Sequence, residues 1–126
     1  MAKKVRKDDA AKRFAAQAAI IAAEDNAEDI VVLDLRGVSP ITDYFVIATG
    51  TSSRQLQTAA EDMIDYGRKN DMKVWQVAGF ERGQWIVLDF VDVVVHLFDA
   101  EHRSFYDLEL IWGEAPRVQW KRYAKK

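Results

Sequence analysis

The sequence contains no cysteine, and only two of its 126 residues are proline. The lack of cysteine excludes a disulfide framework and any metal site built on thiolates. Long apolar runs are also missing, since none approaches the roughly 18 residues that a membrane-spanning helix needs. The N-terminus has neither the apolar core nor the small-residue cleavage site of a signal peptide, so we expect a cytoplasmic protein.

Acidic residues are scarce at both ends of the chain. Residues 1–13 carry six bases and two acids, and residues 117–126 carry five bases and no acid. Of the 18 bases and 20 acids in the whole chain, 7 bases and 18 acids are left for residues 14–116, a net charge of −11. Such an acidic body repels phosphate backbones and attracts Lys- and Arg-rich surfaces. We therefore expect a basic protein partner, no membrane partner, and RNA contact limited to the basic ends.

Hydrophobic periodicity predicts eight elements in the order α-β-β-α-β-β-β-α. An alanine-rich helix is expected over about 9–23, and strands over 30–35, 44–49, 73–78, 84–89 and 92–98. The second helix has the clearest signal, an i, i+3, i+4, i+7 stripe that comprises Leu56, Ala59, Ala60, Met63, Ile64 and Gly67. A third helix is expected over 103–112.

This order indicates an α+β fold, with a mixed five-stranded sheet flanked by helices. We expect one domain over residues 8–113. Residues 1–7 and 114–126 are predicted to be basic, flexible tails, because short basic termini are usually solvated.

The last two strands are predicted to form a hairpin that turns at Phe90 and Val91. In that register the pairs are Asp89 with Asp92, Val87 with Val94, and Trp85 with His96. Because side chains alternate between the two faces of a strand, one face is wholly apolar and predicted to be core: Ile86, Leu88, Val93, Val95 and Leu97. Val91 is a poor residue for a turn that needs a positive φ.

The opposite face, with Trp85, His96 and the two aspartates, has two interpretations. Facing carboxylates repel, at a cost of some tenths of a kcal/mol to about 1 kcal/mol, unless each accepts a nearby backbone N–H group, as aspartates beside turns often do. Alternatively, Asp89 and Asp92 await cations from a partner, beside Trp85 as an aromatic anchor. A core position for Trp85 competes with the anchor role, and the sequence leaves both open.

The strand-to-helix turn at Gly50-Thr51-Ser52 invites three further interpretations. It resembles a nucleophile elbow, but Arg54 stands where that motif favours glycine. Ser52, Ser53 and Arg54 could instead bind phosphate at the helix N-terminus. The favoured interpretation is a helix cap, in which Ser52 and Gln55 form a capping box.

A metal site has little support. No H-x-x-x-H pair and no Asp-rich calcium loop occurs. Asp89 and Asp92 could hold Mg²⁺, which gives the alternative function of a divergent Mg-dependent nucleotidyltransferase. That chemistry favours carboxylates two residues apart on one strand, whereas these are three apart across a turn. We expect no catalytic residue, no metal and no cofactor.

Three ordered blocks of sequence resemble one protein family. They are Asp34 to Gln55 (DLRGVSPITDYFVIATGTSSRQ), Trp85 to Phe98 (WIVLDFVDVVVHLF) and Arg103 to Trp112 (RSFYDLELIW). Together they make the chain similar to the ribosomal silencing factors, also called the Iojap-like family, over about residues 8–113.

The resemblance implies a nucleotidyltransferase-like fold without that activity. It further implies a translation repressor that docks on the large ribosomal subunit, at large-subunit protein fourteen, and blocks joining of the small subunit when nutrients are limiting. Homodimers are implied for the protein free of the ribosome.

The motif matches carry the resemblance over residue by residue, and the residues expected to bind the ribosomal protein are Asp43, Tyr44, Trp85, Asp89, Asp92 and His96. Asp43 and Tyr44 match the family's T-D-[YFC] step, and Ser52, Ser53 and Arg54 match its T-S-S-R turn. The remaining matches to the hairpin strands are Trp85, Asp89, Asp92 and His96, and those to the closing helix are Arg103, Tyr106, Leu108 and Trp112. The family commonly has glycine at position 91, so the turn is expected to differ here. The tail after Pro116 is expected to lie beyond the family's usual end.

Overall fold

The computed structural model describes residues 2–105 and 114–124. These residues form two long helices, five strands, a short helix and a 3₁₀ turn: α1 Ala2–Glu24, β1 Glu28–Asp34, β2 Tyr44–Gly50, α2 Ser53–Lys69, β3 Gln76–Ala78, β4 Trp85–Asp89, β5 Val93–Asp99, α3 Ala100–Phe105 and the 3₁₀ turn Trp120–Tyr123. The predicted order is confirmed. Most of the predicted closing helix, residues 106–112, lies outside the described residues. Within them, no helix is both long and apolar enough to cross a bilayer.

The five strands form one mixed sheet in the order β1-β2-β5-β4-β3. Strands β2 and β5 at its centre are parallel, and the three other pairs of neighbours are antiparallel. The chain therefore crosses from β2 to β5 by way of α2, β3 and β4, which places β1 and β3 at opposite edges. The predicted α+β fold with a mixed five-stranded sheet is confirmed.

Helices α1 and α2 cover one face of this sheet, here called the inner face. The apolar side of the hairpin lies there, and all five residues predicted to be core are fully buried: Ile86, Leu88, Val93, Val95 and Leu97. Alternate residues of β2, from Tyr44 to Ala48, complete the same layer. The strand period was sufficient to assign these faces, because successive side chains point to opposite sides.

Helix α1 packs closely against the sheet because its buried residues are small. Ala15, Ala18, Ala19 and Ala22 are fully buried, and alanine also has the highest helix propensity. Phe14 supplies the bulk, with its ring 4.7 Å from that of Phe90.

Helix α2 buries the predicted stripe, namely Leu56, Ala59, Ala60, Met63 and Gly67, with Ile64 half-buried. Gly67 is required by a close approach, because a Cβ atom there would overlap the carbonyl oxygen of Met72. The chain then reaches β3, which spans three of the six predicted residues. Trp75 precedes it, and its N–H donates to the Asp89 carbonyl at 2.7 Å.

The segment 114–124 is folded against the body, in contrast to the predicted flexible tail. The Asp34 N–H donates to the Pro116 carbonyl and the Val118 N–H to the Val32 carbonyl, each at 2.8 Å, so the segment pairs with the outer edge of β1. Ala115 and Val118 are buried. Burial of apolar side chains at positions 115, 118 and 120 drives the docking of the segment. The prediction of a flexible tail considered the basic residues and not these apolar ones. At the other end, α1 begins at Ala2, so residues 2–7 are helical.

Candidate partner-binding surface

The outer face of the sheet carries a cluster of aromatic rings on β2, β4 and β5. Trp85 stacks on Phe98 with ring centroids 5.0 Å apart, and Phe45 meets His96 edge-on at 4.7 Å. The Trp85 indole N–H donates to His96 Nδ1 at 3.2 Å. Trp85 is half-buried, so it has features of both a core residue and a partner anchor. Its ring packs on the sheet, while part of the ring faces outward.

His96 is a neutral acceptor in this cluster. Burial lowers the pKa of its imidazole from 6.5 to about 4, because a charged ring would lose its hydration. Since Nδ1 accepts the Trp85 N–H, the ring proton lies on Nε2. His96 therefore positions Trp85 and contributes no positive charge, and its side chain is buried away from a direct partner contact.

The predicted hairpin register is wrong by two residues. The observed pairs are Asp89 with Val94, Val87 with His96, and Trp85 with Phe98. The Phe90 N–H donates to the Val93 carbonyl at 2.9 Å, so Val91 and Asp92 form the turn. Val91 takes the positive φ (78°) that a β-branched residue seldom adopts. A shift of two residues leaves each side chain on the same face of the sheet, so the predicted core residues of the hairpin are still correct.

The corrected register separates the two aspartates that were predicted to face each other. Asp89 Oδ1 accepts the Val91 N–H at 2.8 Å, which confirms the local interpretation for this carboxylate. Asp92 lies in the turn itself, and its carbonyl accepts the N–H groups of both Asp43 and Tyr44, each at 3.1 Å. The β4–β5 turn is thus joined to the loop between β1 and β2.

These two connections form what we call the loop end of the sheet, which comprises Val38, Ile41, Asp43, Val91 and Asp92. Three of these residues are apolar and exposed, Ile41 by 84%, Val91 by 55% and Val38 by 51%. Asp43 and Asp92 lie among them, half-buried. An exposed apolar group beside carboxylates is the composition of a binding surface for a protein that carries cations.

Sequence reasoning missed part of this surface. Val38 and Ile41 of the loop end were not predicted as site residues. Neither was Trp75, which is 70% exposed and lies outside the loop end, directly before β3. The available signal was an apolar residue inside a loop of turn formers, as in Ser39-Pro40-Ile41-Thr42. Conversely, Tyr44 was predicted to bind the partner, but its ring is fully buried in the core under Arg36, 5.4 Å from the guanidinium carbon.

The turn at Ser52 is a helix cap. Ser52 Oγ accepts the Gln55 N–H at 3.0 Å, as predicted, while the Gln55 side chain accepts the Thr51 N–H at 2.5 Å in place of the Ser52 N–H of a regular capping box. Ser53 Oγ donates to the Arg82 carbonyl at 3.1 Å, and Arg54 is exposed. Ser52 caps a helix on the inner face, whereas His96 lies on the outer face, so these two residues are not placed as the nucleophile and the base of a hydrolase.

The cavity beside this turn disfavours phosphate. It has a volume of about 350 Å³, and Glu24 and Asp25 line it together with Arg54. Burial, a hydrogen bond to Asp62 and repulsion by Asp62 and Glu24 raise the pKa of Asp25 to about 6. A site in which neighbouring carboxylates oppose the ionisation of Asp25 repels a further anion as well.

Within the described residues, no group of three or more His, Asp or Glu side chains is arranged to hold a metal ion. Asp89 and Asp92 do not face each other, and Asp89 is engaged by Val91. The geometry that a Mg²⁺-dependent nucleotidyltransferase needs is therefore not assembled at this pair.

Comparison with known proteins identifies relatives over most of the chain. Residues 8–126 match the model of the family described as ribosomal silencing factor during starvation, so the match includes the segment after Pro116. The chain is 42% identical to Ribosomal silencing factor RsfS of Bacillus subtilis over 93 residues, 74% of this chain and 79% of the relative. It is 38% identical to the chloroplastic protein Iojap of Zea mays over 84% of this chain and 46% of the relative.

Solved structures share the fold. A crystal structure of a Chromobacterium violaceum protein superimposes with a TM-score of 0.74 at 29% identity, over 79% of this chain and 83% of the other. One from Bacillus halodurans gives 0.70 at 32% identity, over 82% and 94%.

Proposed function

Because the chain belongs to the ribosomal silencing factor family, we propose that it represses translation in the cytoplasm by binding the large ribosomal subunit and sterically blocking the small subunit. The observation that carries this proposal is the family match over residues 8–126. The damping of translation under nutrient limitation and the identity of the partner, large-subunit protein fourteen, are parts of the same proposal.

The loop end and the adjacent aromatic face supply a suitable surface for a basic ribosomal protein. Asp43 and Asp92 offer carboxylates to its cations, while Ile41 and Val91 offer apolar area that is exposed in the isolated chain. The net charge of −11 over residues 14–116 accelerates the encounter with a basic partner more than it raises the final affinity. Blocking the small subunit then requires only the bulk of a folded domain.

Subunit association followed by light scattering tests the proposal. Purified large subunits, preincubated with the protein, are expected to join small subunits more slowly and to a lower final extent. The protein should pellet with large subunits and not with small ones. Unimpaired joining at saturating protein would overturn the proposed function.

Ile41→Ala tests the docking surface within that assay. Ile41 is 84% exposed, so the free energy of unfolding should change by less than about 0.5 kcal/mol, while docking should weaken by more than about 1 kcal/mol if Ile41 is an interface anchor. Val77→Ala is the matched control, since Val77 is an exposed apolar residue on the edge strand β3. Equal affinities of the two variants for the large subunit would place the interface elsewhere.

We also propose that the free protein forms a homodimer that dissociates on meeting the ribosome. Sedimentation of the labelled protein with and without large subunits distinguishes a dimer that dissociates on the ribosome from a permanent dimer. A dimer that persists on the subunit would contradict it.

A further inference from the structure

The segment 114–124 lies against α1, with its basic residues close to Lys12. Gln17 of α1 donates through Nε2 to the Tyr123 carbonyl at 3.2 Å, and the Trp120 indole N–H donates to the Ile30 carbonyl at 3.3 Å. Together with the pairing of 116–118 to β1, these bonds hold the segment 114–124 against α1 and the sheet edge. The cations of this segment are thereby held at fixed positions, unlike those of a solvated tail.

A cleft of about 280 Å³ lies where α1, β1 and this segment meet. Lys12, Arg117 and Arg122 line it, with Asp34 as the one carboxylate among its described lining residues. Arg36 already balances Asp34, since its Nε and Nη2 donate to the two carboxylate oxygens at 2.9 and 2.7 Å. Lys12 and Arg122 therefore give the cleft a positive charge that Asp34 does not balance, although the body of the chain is strongly acidic.

Aromatic rings accompany these cations. Tyr123 lines the cleft, and Trp120 precedes it by three residues, with Lys121 Nζ 5.8 Å from the Trp120 ring centroid. Both rings pack against the core on one side and are half-exposed. Cations that follow a backbone, interspersed with rings on which bases stack, are the recurring composition of single-stranded nucleic-acid sites. An acidic peptide would match the charge but would make no use of the rings.

We propose that this basic cleft binds the phosphate backbone of RNA, through Lys12 and Arg122. The position of the cleft links it to the docking surface, because Asp34 pairs with Tyr44, the residue after Asp43 of the loop end. This identification of the RNA rests on the proposed function. The RNA is then a strand of ribosomal RNA next to the protein that the loop end contacts. In one docking event the acidic loop end would contact a basic protein, and the basic cleft would contact RNA.

Binding of the isolated chain to a short labelled single-stranded RNA, measured by fluorescence anisotropy over a range of salt concentrations, tests whether the cleft binds RNA. Lys12→Gln/Arg122→Gln should weaken binding and flatten the slope of log K against log[salt] by about 1.5, since each lost phosphate contact removes roughly 0.7 to 0.9. The matched control is Lys73→Gln/Arg82→Gln, which removes the same charge from exposed positions in the connections that flank β3, at the opposite edge of the sheet. The control should keep the slope of the unmodified chain.

Three outcomes would contradict the proposal that the cleft binds RNA. They are no RNA binding at low salt, equal slopes for the two double variants, and equally tight binding of poly-glutamate or of phosphatidylserine vesicles. Circular dichroism of each variant checks that the fold is retained. The assay contains no ribosome, so its result stands apart from the subunit-joining assay: RNA binding with the expected slopes would survive a failure of the proposed silencing function.

Discussion

At the residue scale, Trp85 and His96 show how a half-buried tryptophan is held in place. The stack on Phe98 fixes the plane of the indole, and the bond to His96 fixes its rotation. The histidine provides this acceptor only while it is neutral. Truncation of Trp85 would therefore alter both packing and any contact on the outer face, so that Ile41 is the cleaner probe of docking.

The pH dependence of stability reports on His96. Its folded pKa of about 4 is below the ordinary 6.5, so between these values the unfolded chain binds the extra proton, and stability is lost as the pH falls from about 6.5 to about 4. The loss amounts to about 3 kcal/mol. In His96→Phe that part of the pH dependence should disappear, as measured by urea unfolding across this range.

His102→Gln is the control for that experiment, because it removes the other histidine and leaves His96 in place. The raised pKa of Asp25 acts with opposite sign between about 4 and 6, so the comparison is made between variants. A His96→Phe curve parallel to that of the unmodified chain would contradict the buried, neutral imidazole.

Val91 is a second residue whose effect is local. Its φ of 78° costs about 1 to 2 kcal/mol for a residue with a Cβ atom, whereas glycine loses about 0.5 to 1 kcal/mol in unfolded-chain entropy. Val91→Gly should therefore raise the free energy of unfolding by up to about 1.5 kcal/mol. Val91→Ala keeps the Cβ atom and should change it by less than about 0.5 kcal/mol. Equal gains in urea unfolding would show that the branched side chain, and not the backbone angle, is at fault.

At the scale of elements, helix α2 and the β4–β5 hairpin differ in how far the chain determines them locally. The helix has both a cap and a buried stripe that follow from its own residues. The hairpin has the expected faces, but its register depends on which two residues form the turn. A positive φ at one of them would not be predicted for valine, yet Val91 adopts it. The fold forces that angle because β5 must align with β2 as well as with β4.

Ser52→Ala should lower the free energy of unfolding by about 1 kcal/mol, because the first turn of α2 loses the acceptor for the Gln55 N–H. Ser53→Ala is the matched control at the neighbouring position, where an exposed hydroxyl donates to the Arg82 carbonyl. Its effect should stay within about 0.5 kcal/mol. Similar losses in the two variants by thermal or urea unfolding would argue against the cap.

At the scale of the whole molecule, the segment 114–124 completes the domain. It covers the free edge of β1, which would otherwise expose unpaired backbone groups. It also places Arg117 and Arg122 beside Lys12 in the basic cleft. The family match through residue 126 agrees with a segment that belongs to the fold.

Val118→Ala tests whether this segment stabilises the domain. Val118 is only 9% exposed and packs in the main core, so removal of two methyl groups should cost about 1.5 kcal/mol. Val38→Ala removes the same atoms at a half-exposed position and should cost less than about 0.5 kcal/mol. If the two variants unfold at the same denaturant concentration, the segment does not contribute to the core.

The amino-acid sequence by itself determined the type and order of the elements, the stripe of α2, its cap and the faces of the hairpin. These depend on the helix and strand periods and on capping chemistry, all of which act over a few neighbouring residues. Three blocks of sequence were also enough to indicate the family, although they could not distinguish the buried Tyr44 from the exposed Ile41.

Only the tertiary structure decided the strand order, the two-residue shift of the hairpin, the docking of the segment 114–124 and the position of Arg122 beside Lys12. Each rests on contacts between residues far apart along the chain, such as Gln17 with Tyr123, 106 positions away, and Trp120 with Ile30, 90 positions away. No local pattern encodes such pairs, because their energy comes from burying surfaces that only the folded chain brings together.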